Sequence, residues 1–100
     1  MGATGTISVD FGAFPGKSDA SVAVTGQAGI VAGSLVEAWI FPVATADHSV
    51  DEHIVEELEV VAGNIVAATG FTIYGTHKPS TSHGADTRLY GAWTVAWVWN

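Results

Sequence analysis

The chain closes on AWTVAWVWN, residues 92 to 100. Trp93, Val95, Trp97 and Trp99 alternate there with Ala92, Thr94, Ala96 and Val98. Successive side chains of a strand point to opposite faces, so this spacing gathers three indoles on one side and small residues on the other. A strand from Arg88 to Asn100 with that pattern calls for a cover on its indole face, from the core, a subunit interface or a stacked ligand. Its small-residue face allows another surface to approach closely. Any fold this chain adopts has to be built around that strand.

The rest of the sequence is punctuated to match. Thr6 to Phe11 alternates cleanly, with Ile7, Val9 and Phe11 on one face. Pro15-Gly16 signals a turn, and Ala20 to Thr25 forms a second strand with Val22 and Val24 inward. Ile30 to Ala32 reads as a short strand after the GQAG turn. Leu35 to Phe41 places Leu35, Glu37, Trp39 and Phe41 on one face and Val36, Ala38 and Ile40 on the other. Both faces are largely apolar, which predicts a central strand or one facing a neighbouring subunit. Gly63-Asn64 reads as a turn, followed by strands over 64–68 and 71–74. Seven to eight short strands with turn signals every 8 to 12 residues predict a single all-β domain over residues 1–100, an antiparallel β-sandwich or jelly roll.

Composition narrows the function. The chain is 48% hydrophobic and 13% charged, against about 25% charged in soluble domains. A chain of this mass should expose roughly 5,400 Å² when folded, and one small core cannot hold so much apolar material. A homo-oligomer follows, because monomers rarely keep large apolar patches exposed. Net charge is −7 and the cations are Lys17, Lys78 and Arg88, too few to neutralise a nucleic-acid backbone or dock on an anionic membrane. Without cysteine there is no disulfide framework. No apolar run is long enough to span a bilayer, and the first residues lack the pattern of a secretory signal.

The stretch ADHSVDEHIVEELE, residues 46 to 59, concentrates His48, His53 and six of the ten acids. Ser49 and Glu52 match a capping box, so a turn or single helical turn is expected at 49–53, then a strand near 54–62. His48 and His53 with Asp47, Asp51 and Glu52 are candidate metal ligands, with His77 or His83 joining from elsewhere. Their spacing fails both the i, i+4 pair of a helix and the single face of a strand. A solvated acidic loop, or a contact with a neighbouring subunit, is the simpler reading. In the second case acidification through the imidazole range, about 6.5 for an unperturbed ring, would alter assembly. No serine sits on a nucleophile elbow, and Ser80 and Ser82 beside His77 and His83 suit an ordinary polar loop. Glu56 and Glu57 point apart on a strand, so they do not form a glycosidase pair. No phosphate-binding glycine loop opens a helix. The expectation is a non-enzyme without cofactor. Trp39, Trp93, Trp97 and Trp99 are candidates for a subunit interface or a glycan-stacking platform, and the 76–86 loop with His77, Lys78 and His83 for contact with a receptor or another protein.

GTISVDFGAFPG, DHSVDEH, GNIVAATGFTIYG and YGAWTVAWVWN resemble, in matching order, a family of small all-β proteins encoded by tailed bacteriophages. The resemblance implies a virion structural protein, made in the bacterial host cytoplasm. It would be a homo-oligomeric, trimeric subunit of head decoration or of a tail or fibre component, contacting capsid or tail subunits. A trimer would bury roughly 800 Å² per standard contact. A receptor- or glycan-binding module at a fibre tip is the alternative. The family supplies no catalytic residues to carry over.

Overall fold

A computed structural model describes residues 2–56, 58–77 and 88–100. Lys78 and His83, and with them most of the 76–86 loop, lie outside the described residues, as does Glu57. The described residues form strands β1 (Ala3–Asp10), β2 (Asp19–Val24) and β3 (Val36–Ile40), then a short helix α1 (Val50–Val55), then β4 (Leu58–Val66), β5 (Gly70–His77) and β6 (Ala92–Trp99). All pairings are antiparallel. One sheet has the order β1-β6-β3 and the other β2-β5-β4. The sheets also approach each other along their edges, β3 beside β4 and β1 beside β2.

Alternation sends one face of each strand into a shared core. From the first sheet come Val9, Ala38, Trp93, Val95, Trp97 and Trp99, and from the second Val24, Phe71 and Ile73. The Phe71 ring meets Trp97 edge to face at 5.7 Å between centroids. This is a favoured geometry for aromatic pairs, with the positive edge of one ring on the negative face of the other. Two indoles find acceptors inside this core, Trp99 Nε1–H on Gln27 Oε1 at 2.9 Å and Trp93 Nε1–H on the Tyr90 carbonyl at 3.2 Å. Gly5, opposite Trp97 in the ladder, gives that indole its space, since a Cβ there would lie 2.5 Å from the ring.

Six strands stand among the described residues where the sequence suggested seven or eight, and local backbone chemistry explains the difference. Around Ile30 the N–H groups are spent in turns, Ile30 to Gln27 at 3.2 Å and Ser34 to Val31 at 3.0 Å. The 30–32 segment is therefore a loop, with Ile30 buried as a plug. Gly63-Asn64 does not turn the chain. Asn64 takes φ +52 inside an irregularity of the β4–β5 ladder, so one extra residue is absorbed as a bulge and β4 runs on to Val66. The hairpin turn follows at 67–69. β6 starts at Ala92 instead of Arg88 because Gly91 sits at φ +73, outside strand geometry. β3 is not a central strand either: it is an edge of its ladder, flanked by β4.

Truncating Trp97 tests the core directly. Trp97→Ala removes an indole that is 8% exposed and should cost about 3–5 kcal/mol in urea or guanidinium unfolding. A loss under about 1 kcal/mol, the range of a surface substitution, would contradict this packing.

Candidate functional site

Titratable side chains gather where the β3–β4 crossing meets the start of β6. The crossing is tied down by residues that suit turns. Thr45 Oγ1 donates to the Ala92 carbonyl at 2.8 Å and accepts the N–H groups of Asp47 and His48, each at 3.1 Å. Asp47 Oδ2 accepts the Ala92 N–H at 2.8 Å. The loop passes so close that a Cβ on Gly91 would fall 2.6 Å from Asp47 Cβ, so glycine is required there for space as well as for φ.

Ser49 then caps α1. Its hydroxyl accepts the Glu52 N–H at 3.3 Å, and Glu52 Oε1 accepts the Ser49 N–H at 2.7 Å, the reciprocal pair expected of S-x-x-E. The helix reaches Val55, longer than the single turn at 49–53, and β4 begins at Leu58 instead of 54. Hydrophobic spacing over 54–62 fits both periods, and the cap decides for the helix at its start.

His48 and His53 face neither solvent nor a neighbouring subunit. They are 4% and 3% exposed, and both lie on Trp93. The His48 ring stacks on the indole at 3.7 Å and 19°, while His53 meets it at 5.1 Å and 61°. His48 precedes the N-cap and His53 lies within the helix, so neither simple period describes how they converge.

Their hydrogen bonds differ in kind. His53 Nδ1–H donates to the Ser49 carbonyl at 2.7 Å, and Nε2 accepts the Thr94 N–H at 3.0 Å. One nitrogen donates and the other accepts, which only the neutral ring in one tautomer can do. His48 faces two acceptors, the Tyr90 carbonyl at 2.5 Å from Nε2 and Glu52 Oε2 at 3.2 Å from Nδ1. The ring thus bridges the start of β6 and the helix cap while it lies flat on the Trp93 indole. The Ser49 N–H and then the His48 contact hold the exposed Glu52 carboxyl below its ordinary 4.5.

The other candidates are dispersed. His77, at the end of β5, contacts Glu56 at 3.2 Å, away from the Trp93 pair. Trp93, Trp97 and Trp99 are buried at 2%, 8% and 5% exposure, so they are core residues and cannot serve as a glycan platform. Trp39 is the outward one, at 44%. Among the described residues no group of three or more His, Asp or Glu side chains could hold a metal ion. No helix among them is long and apolar enough to cross a membrane. Set against family models, curated proteins and solved structures, the chain matches none.

Two outcomes follow. Imidazole 15N spectra at neutral pH should show the Nδ1–H tautomer for His53, and His53→Ala should cost about 1–3 kcal/mol because the Thr94 N–H loses its acceptor; an Nε2–H tautomer would overturn the arrangement. For Glu52 the folded value lies below the unfolded one. Its contribution is therefore complete above the unfolded value and is lost as pH falls through the folded value. Glu52→Gln should lower stability near neutrality and shrink the difference from wild type in acid, read by urea unfolding across the acid range.

Proposed function

We propose that the chain is a structural subunit of a bacteriophage particle, a β-sandwich that assembles as a homo-oligomer, a trimer, in head decoration or in a tail or fibre component. The observation that carries the reading is the outer face of β3. Leu35, Trp39 and Phe41 project there with 76%, 44% and 41% of their surfaces exposed. Beside them on β6 the outward residues are small or aliphatic: Val98 opposite Glu37, and Ala96 opposite Trp39. Ala96 is buried although it faces outward, as expected beneath a large cross-strand neighbour. A shallow pocket of about 130 Å³ lies at the strip's end, between Leu35, Glu37, Val98 and Trp99.

The sequence left two explanations for an apolar pair of faces on this strand, a central position or a neighbouring subunit. An edge position in the ladder removes the first. The folded chain exposes 5552 Å², ordinary for its mass, so this strip is surplus on a surface of normal extent. Glu37 is the strip's one charge among 35–41, and low charge is typical of the centre of an interface. The phage assignment rests on the four stretches that resemble phage proteins, and the assembly assignment on the strip.

Sedimentation velocity and light scattering of the purified chain at micromolar concentration should show a single oligomer. Leu35→Ser should weaken it without lowering monomer stability by more than about 0.5 kcal/mol, since Leu35 is 76% exposed. A monodisperse wild-type monomer would overturn the assembly reading. Absence of the chain from purified particles of the encoding phage would overturn the virion assignment.

A further inference from the structure

A second concavity lies away from both the histidine pair and the β3 strip. It is a cleft of about 470 Å³ lined by the polar residues Asp10, Lys17, Asp19, Ser21, Tyr74 and Thr76 together with Ala20 and Gly75. The volume falls within the range of about 300–1,000 Å³ usual for small-molecule sites. Three strands supply it: Asp10 ends β1, Asp19 and Ser21 belong to β2, and Tyr74 and Thr76 belong to β5. The ladder fixes their spacing, with Asp19 opposite Thr76 and Ser21 opposite Tyr74. Lys17 is held at the rim by paired backbone bonds with Leu89, each 2.9 Å.

The polar atoms of this cleft are largely unspent. Asp10 Oδ1 accepts the Gly12 N–H at 2.8 Å, which leaves its second oxygen. Among the described residues the ion pairs are His48–Glu52 and His77–Glu56, so Lys17 closes on neither aspartate although all three line the same space. The cleft therefore offers two carboxylate acceptors, an ammonium donor and hydroxyls able to do both. Tyr74, 41% exposed, is the aromatic residue among those lining it.

We propose that this cleft binds a neutral saccharide. Vicinal hydroxyls both donate and accept, so they match carboxylates and an ammonium at once. The apolar C–H face of a pyranose matches an exposed tyrosine ring. Two carboxylates against one ammonium, on a chain of net charge −7, oppose anionic ligands such as phosphates. The inference is independent of the assembly reading, since it uses neither the strip nor any subunit contact.

The test is a 15N–1H titration of the full chain with the methyl glycosides of glucose, galactose, mannose and N-acetylglucosamine, with sodium sulfate as an anionic probe. At least one sugar should move the amides of 19–21 and 74–76 saturably, with a Kd on the order of 1 mM. Tyr74→Ala and Asp19→Asn should each weaken that response about tenfold or more while the rest of the spectrum stays folded, and sulfate should leave those amides in place. The proposal is overturned if no sugar shifts these amides saturably, if both folded variants respond as wild type does, or if sulfate binds there more tightly than the sugars.

Discussion

The stacking of His48 on Trp93 decides how the longest connection in the described fold is held. Between β3 and β4 the chain has no ladder partner for nearly twenty residues, and a free loop of that length is costly to order. Here the ordering comes from the Thr45 and Asp47 bonds that tie the crossing to Ala92, and from one indole. Its face takes His48, its edge region meets His53, and its N–H shares the Tyr90 carbonyl with His48 Nε2. Through these contacts α1 is fixed over the end of the core and β4 is delivered to the side of β3. The helix alone could not do this: six residues is far short of what an isolated helix needs to be stable.

The same contacts give the two histidines different chemical identities. His53 is bound by a carbonyl on one side and an N–H on the other, so its role is to carry the hydrogen bonding of a helix end across to β6. His48 is bound by acceptors on both sides, so its role is to tie the Tyr90 carbonyl and the Glu52 carboxyl to one ring stacked on Trp93. Histidine fits both because it can present donor–acceptor or donor–donor pairs with nearly the same shape. A ring with only carbon atoms would stack on Trp93 equally well but would strand the Thr94 N–H and leave the Tyr90 carbonyl with one fewer donor. Within the crowded stretch, Asp47, His48, Glu52 and His53 thus hold the crossing, the helix cap and β6 together.

Much of this architecture was legible in the residues. Period two over β1, β2, β3 and β6 located the strands. On β1 and β2 it also marked the inward face, because alternation reports burial wherever one face is wet; on β3 both faces were apolar and the inward one stayed open. The Ser49/Glu52 cap was legible because it is local. What escaped was set by distant partners or by backbone freedom. Ile30 has strand-like neighbours, yet flanking turns use up its hydrogen bonds. Asn64 is a turn residue by type, and its left-handed conformation went into a bulge because the β4–β5 ladder continues on both sides. The convergence of His48 and His53 depends on Trp93, some forty residues away, and on the Thr45 and Asp47 bonds that set the crossing against Ala92. Spacing arithmetic within the acidic stretch could not reveal that meeting. The tryptophan pattern identified a covered face correctly, but could not say whether the cover was core or ligand until the second sheet was in place.

Trp39 shows how one strand divides its work. Ala38 and Trp39 are consecutive, and the pleat turns them to opposite faces. Ala38 faces the core beside Trp97, its partner in the ladder, where a larger residue would compete with the indole for the same space. Trp39 faces out over Ala96, and the small residues of β6 leave it a flat bed there. The alternation of large and small across β3 and β6 is therefore reversed between the two faces, with tryptophans from β6 inside and from β3 outside. Packing of the first sheet against the second accounts for the inner set. The outer set is built to the same rule, large residue over small, and Leu35, Trp39 and Phe41 stay exposed on it among the described residues; covering that face with further apolar surface would be favourable in proportion to the area removed from water.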